Sequence, residues 1–229
     1  ISNHYYAFGT RKTKTDNPIM LNENLKSKYK LLMELKIDNI FVTYIIMNIK
    51  SLTIYCSSSN NLDPIYYEIS KQMIHVIAKF DYSIVYGGGQ VGIMGVVAKT
   101  SMELGLHVTG VVPEFLATKE NMFKEINILK IAKNMNQRKK ILFELGDAFI
   151  AFPGGTGTIE EITEIISWKV LGLHQKPILF FNIQNFWNPL LEQFKSINEN
   201  KFGNINLQSI FETIDTPQQF VKIFKSWQK

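Results

Sequence analysis

The stretch Asp147-Ala148-Phe149-Ile150-Ala151-Phe152-Pro153-Gly154-Gly155-Thr156-Gly157-Thr158-Ile159-Glu160-Glu161 runs from a short apolar segment through a glycine-rich turn into a helix expected to reach about Leu171. Glycine lets a backbone approach a ligand closely and adopt positive φ at low cost. The helix behind the turn presents unpaired N–H groups and the positive end of its dipole, a ready seat for a phosphate. Thr156 and Thr158 add hydroxyl donors. No Gly-Lys-Ser/Thr follows the glycines, so the turn is not a Walker motif, and it lacks the three spaced glycines of the dinucleotide fingerprint. The competing reading is a purely structural turn.

Outward from this unit the same grammar repeats. Strands are expected at Leu52–Cys56, Tyr82–Tyr86, His107–Val112, Ile126–Leu129, Asp147–Phe152 and Pro177–Phe181. Helices are expected from Pro64 to about Lys79, from the Gly87–Gly95 turn to about Leu104, over Asn136–Leu145, near Pro189–Ile197 and at Pro217–Lys225. Short apolar strands alternating with helices imply crossover connections and a parallel sheet buried on both faces. The fold class is therefore α/β, a Rossmann-like three-layer sandwich with a mostly parallel sheet. Such sheets bind ligands at the carboxyl ends of their strands. The loops Ser57-Ser58-Ser59-Asn60, Gly87–Gly95 and Pro153–Thr158 all lie at such ends.

Three acids, Glu160, Glu161 and Glu164, occupy the first turns of the helix behind the glycines. Complementing the helix dipole explains them in the simplest way. Beside an anion site they would repel the ligand unless one has a task, and glycosidic cleavage supplies one. Its oxocarbenium-like transition state is stabilised by a carboxylate that also orients water. Arg138-Lys139-Lys140 opens another helix. A solvated basic face is the plain reading, but arginine pairs bidentately with phosphate or carboxylate, so Arg138 is placed to hold either.

The chain of 229 residues, 45% apolar and 20% charged, suits one globular α/β domain. The formal charge of +5 invites a nucleic-acid reading. Residues 1–50 hold eight Lys/Arg against four acids, leaving 17 against 16 for residues 51–229. A near-neutral body argues against a phosphate-tracking groove. Cys56 is the single cysteine, which excludes an internal disulfide, and His4, His75, His107 and His174 show no metal-like spacing. No apolar run approaches bilayer length and no secretory signal is evident, so the expectation is a soluble cytoplasmic protein without membrane or nucleic-acid partners. Residues 1–46 read as an N-terminal extension, with Leu25, Tyr29, Leu32 and Leu35 at helical spacing, and residues 47–229 as the catalytic domain.

Several motifs in register make a resemblance specific. Phe152–Glu161 resembles the Pro-Gly-Gly-x-Gly-Thr-x-x-Glu signature of the Lonely Guy family, the cytokinin riboside 5′-monophosphate phosphoribohydrolases. Met135–Lys139, Tyr86–Gly95, Val112–Phe115 and Ser167-Trp168 with Leu171–Pro177 also match, over roughly residues 50–200. The resemblance implies a catalytic pair at Arg138 and Glu161. It implies substrate contacts at Ser58, Ser59, Gly88, Gly89, Glu120, Arg138, Lys139, Gly155, Thr156, Gly157, Thr158, Ile159, Glu160, Glu161 and Ser167. It further implies a homodimer acting on a small-molecule nucleotide, with no metal and no organic cofactor. Ser57 departs from a usual glycine, Asn136 from a common histidine and Ser167 from a frequent threonine.

The expected activity is hydrolysis of a nucleoside 5′-monophosphate to free base and ribose 5-phosphate. The alternative is a non-catalytic nucleotide or molybdenum-cofactor binding protein of the same fold. Members of the family have often been labelled lysine decarboxylases, but no pyridoxal-phosphate site is evident in this short chain.

Overall fold

A computed structural model describes residues 49–117 and 122–227 of the chain. The expected extension at 1–46 and its helix lie outside the described residues, as does Glu120.

Among the described residues seven strands form one sheet in the order β4-β3-β2-β1-β5-β6-β7. They are β1 (Ser51–Tyr55), β2 (Ser83–Tyr86), β3 (Val108–Pro113), β4 (Ile128–Ala132), β5 (Ala148–Ala151), β6 (Ile178–Phe181) and β7 (Glu212–Ile214). Every pairing is parallel, so the sheet is wholly parallel where a mostly parallel one was expected. The helices are α1 (Pro64–Ile77), α2 (Gly92–Glu103), the short α3 (Glu114–Ala117), α4 (Met135–Leu145), α5 (Thr156–Val170), α6 (Asn188–Glu199) and α7 (Pro217–Trp227).

The period-two alternation of strand side chains sorts the core into two layers. Leu52, Ile54, Ile150, Leu179 and Phe181 pack against α1, α2 and α7 through Met73, Ile74, Val97, Phe220 and Phe224. Tyr55, Phe149, Ala151 and Phe180 face the other way, against Leu142 of α4, Ile162 and Ile165 of α5 and Phe194 of α6. This is the three-layer sandwich, and it explains why the central strands read as unbroken apolar runs.

Two expectations need correcting. The strand expected at Ile126–Leu129 lies at Ile128–Ala132 instead. Ile126 is buried, but Asn127 is turned to accept a hydrogen bond from Val108 N at 2.7 Å, and regular pairing starts only beyond it. The strand β7 was not anticipated, because Glu-Thr-Ile is too short and polar to register as one.

Strand order reverses between β1 and β5, the switch point where open α/β sheets form a ligand crevice. There the two loops are stitched together. Phe152 N donates to Tyr55 O at 2.9 Å and Ser57 N to Pro153 O at 3.1 Å.

Candidate active site

Arg138 is the fourth residue of α4, whose start is fixed by its own sequence. Asn134 caps the helix by accepting from Gln137 N at 2.9 Å, and the Gln137 side chain accepts from Lys133 N at 2.6 Å. So anchored, the helix sends the Arg138 side chain inward. Its Nε donates to Val111 O at 3.0 Å, one terminal nitrogen lies 3.5 Å from Gly87 O, and the other pairs with the Glu161 carboxylate. Both side chains of that ion pair are buried. Gly87 is required by this arrangement, since a Cβ there would lie 2.5 Å from the guanidinium.

Glu161 stands in the second turn of α5. Burial lifts its carboxyl above the ordinary 4.5, while the Arg138 charge and hydrogen bond pull the other way. Lys139 sits beside the pair and bridges Glu160 and Glu164 of α5, the latter at 3.1 Å. Two ion-pair links therefore tie α4 to α5.

The two glycine-rich turns differ in what their helices need. At the start of α2, Gly92 N donates to Asn60 Oδ1 at 3.1 Å and Met94 N to Ser57 O at 3.0 Å. Gly92 has φ +65°, and a Cβ there would collide with the backbone of Ser57–Ser59. At Gly92 that turn serves packing. At the start of α5 the cap residue is Gly155 and no side chain caps the helix. A Cβ on Gly155 or Gly157 would meet nothing within 4 Å, so neither glycine is explained by contacts within the chain. Gly154 is, because its Cβ would lie 2.1 Å from Thr158 Oγ1.

Three adjoining cavities line the crevice. A polar one of about 340 Å³ is bounded by Cys56, Ser57–Ser59, Met94, Gly155–Thr158 and Glu161. It shares Ser58, Met94 and Gly157 with a second, of about 380 Å³, that includes Gly87–Gly89, Met122, Met135 and Arg138. A third of about 360 Å³ adjoins the first at Ser57, Ser59 and Gly155 and is bounded further by Leu62, Tyr66, Pro153, Gly154 and Phe186.

Ser58, Ser59, Gly88, Gly89, Arg138, Gly155, Thr156, Gly157, Thr158 and Glu161 thus meet at one crevice. Of the other anticipated residues that the structure describes, Lys139, Ile159, Glu160 and Ser167 do not line these cavities. Lys139 and Glu160 are engaged with each other, Ile159 is exposed on the outer face of α5, and Ser167 Oγ donates to Thr163 O at 2.8 Å. Ser57, which replaces the usual glycine, keeps the loop closed by accepting from Ser59 N through its own hydroxyl at 3.0 Å. Met94 lines the crevice from within the Gly87–Gly95 turn, whereas Tyr66 and Phe186 line it without any local motif to announce them.

Comparison with known proteins agrees with this geometry. A family model described as possible lysine decarboxylase matches residues 94–224. A cytokinin riboside 5′-monophosphate phosphoribohydrolase of Rhodococcoides fascians is 41% identical over 62% of this chain and 72% of its own length. One from Arabidopsis thaliana is 34% identical over 74% of this chain and 80% of its own. Among solved structures, the molybdenum cofactor binding protein of Rippkaea orientalis superposes with a TM-score of 0.59 at 19% identity, covering 79% of this chain and 98% of that one. At that identity the likeness is one of fold. The chain belongs to the Lonely Guy family of phosphoribohydrolases, to which the lysine decarboxylase description has also been attached.

Proposed function

We propose that this chain hydrolyses the N-glycosidic bond of a nucleoside 5′-monophosphate, AMP or an N6-modified AMP of the cytokinin type, giving free base and ribose 5-phosphate. The observation that carries the reading is the buried Arg138–Glu161 pair set beside the uncapped N-terminus of α5 in one crevice.

The phosphate rests on the Gly155–Thr158 turn, where helix N–H groups and the Thr156 and Thr158 hydroxyls face it. The ribose then lies toward Glu161, and the base enters the cavity of Met94, Met122 and Met135, which Arg138 also borders. The C1′–N bond breaks with its electron pair leaving on the base nitrogen. Glu161 stabilises the positive charge growing on the ribose and orients the water whose oxygen bonds to C1′. The two protons of that water end on the new hydroxyl and on the released base. Arg138 holds the Glu161 carboxylate in place, and Ser58, Ser59, Gly88 and Gly89 shape the walls. Lys139 and Glu160 act through the second inter-helix link.

Residues 47–229 form the catalytic domain in this reading, 1–46 are an extension, and the working form is a cytoplasmic homodimer. Exposed Phe115, Leu116, Ile128 and Ile131, of which Leu116 lines the second cavity, support self-association. No helix among the described residues is long and apolar enough to cross a membrane. The carrier-protein alternative is not favoured, since the relatives with substantial identity are named as hydrolases.

The test is chromatographic detection of free base after incubation with AMP, N6-isopentenyl-AMP, GMP and CMP. Base release from at least one is expected. A folded protein that binds AMP and releases no base from any of the four contradicts the proposal.

A further inference from the structure

The cavity against Tyr66 and Phe186 plays no part in the reaction as described. It is bounded by Ser57, Ser59, Leu62, Tyr66, Pro153, Gly154, Gly155 and Phe186, and has about 360 Å³, within the size of small-molecule sites. Neither Arg138 nor Glu161 borders it, so it cannot hold the bond that breaks. It does share Ser57, Ser59 and Gly155 with the polar cavity of the phosphate turn. The two cavities therefore adjoin at Gly155, the first residue of the phosphate turn.

Its walls are specific in character. Tyr66 of α1 and Phe186 meet edge to face, ring centres 6.3 Å apart, and Leu62 and Pro153 complete an apolar lining. Phe186 is held there at a conformational cost. The two residues before it, Gln184 and Asn185, both adopt left-handed backbone at φ 52° and 59°. The residue after it is anchored, with Trp187 N donating to Asn182 Oδ1 at 2.8 Å and Trp187 Nε1 to Ala151 O at 3.2 Å. Phe186 nevertheless remains 38% exposed, so the strained turn does not bury it in the core. It presents a ring to the cavity.

We infer that this cavity is a subsite for an aromatic or apolar group esterified to the 5′-phosphate, so that the site accepts nucleotide phosphodiesters as well as monoesters. The inference rests on the phosphate position given under the proposed function. In such a ligand the phosphate keeps the Gly155–Thr158 turn and the base keeps the methionine-lined cavity. The ester group packs between Tyr66 and Phe186.

The test measures dissociation constants by calorimetry on the full chain carrying Glu161→Gln, which suppresses turnover. The probes are AMP, adenosine 5′-(methyl phosphate) and adenosine 5′-(phenyl phosphate). The phenyl ester is expected to bind about tenfold or more tightly than the methyl ester, because its ring leaves water for the aromatic wall. The ratio of the two constants is an internal standard for each variant. It is expected to fall toward one when Phe186→Ala is added, and again when Tyr66→Ala is added instead. Equal binding of the two esters overturns the subsite, as does a preference that survives both substitutions. Failure of AMP to bind both this variant and the unsubstituted chain removes the phosphate position, and with it both the subsite and the proposed function. AMP binding without a phenyl preference removes the subsite alone.

Discussion

The Arg138 guanidinium and the Glu161 carboxylate form a buried ion pair between α4 and α5, and the same guanidinium is fastened to the carbonyl of Val111. Arg138 is thus committed to protein partners on the sheet and to the carboxylate, which favours Glu161 over the phosphate as its object. Breaking a buried pair from one side leaves a stranded charge. Arg138→Met should therefore cost about 3–5 kcal/mol of stability, and adding Glu161→Gln should restore part of that loss. Urea unfolding of the two single variants and the double variant checks it. Strict additivity of the two effects would mean that the pair is not coupled.

The activity should follow the ionisation of Glu161. Burial raises its pKa above 4.5 against the pull of Arg138, and the ionised form is the one that stabilises the ribosyl cation. The acid limb of the kcat profile is expected above the ordinary carboxylate range, with activity rising as pH increases through it. For stability the sign is opposite. A raised folded pKa gives a contribution present below the unfolded value and lost as pH rises through the folded one. A kcat profile flat down to pH 4.5 would contradict the assignment.

Gly154 and Gly157 should respond in opposite ways to alanine. A Cβ at Gly154 would strike Thr158 Oγ1, so Gly154→Ala should destabilise by about 1–3 kcal/mol. A Cβ at Gly157 meets nothing, and alanine suits a helix better, so Gly157→Ala should leave stability within about 1 kcal/mol of the parent. The methyl nevertheless stands in the crevice, and KM for the monophosphate should rise about tenfold or more. Melting curves and initial rates separate the two effects. An unchanged KM in Gly157→Ala would remove the phosphate from this turn.

His174, just beyond α5, should set a lower pH limit on the fold. Its Nδ1 accepts from Lys176 N at 3.1 Å, which puts the ring proton on Nε2, 2.9 Å from Ile165 O. Burial lowers its pKa below 6.5, the Lys169 and Lys176 charges add to this, and the Ile165 carbonyl opposes it. A depressed folded pKa gives stability that is present above the unfolded value and lost as pH falls through the folded one. The melting temperature should drop as pH falls from 6.5, and His174→Gln should flatten that slope. An unchanged slope in the variant would exonerate the histidine.

The reach of the sequence is itself instructive. The central strands were legible because both faces are buried, as the wholly apolar Ala148–Ala151 and Ile178–Phe181 show. The edge strands were less so: β4 was expected two to three residues early and β7 was not expected at all. Only Ala132 is buried in β4, and β7 is three residues long, so neither carries a periodic signal. In the crevice, Gly155–Thr158, Glu161 and Arg138 were legible because helix starts and glycine turns are local features. The bridge from Lys139 to Glu160 and Glu164, and the meeting of Tyr66 with Phe186, join residues far apart in the chain. Only the packed fold brings them together.

The most direct test of the central claim is the stoichiometry of products from a single nucleoside 5′-monophosphate incubated with the full chain and with its Glu161→Gln variant. Equal amounts of free base and ribose 5-phosphate from the parent, with the rate lowered roughly 10²–10⁴-fold in the variant, are the predicted result. Base release at the parent rate by Glu161→Gln, or release of inorganic phosphate in place of ribose 5-phosphate, would contradict it.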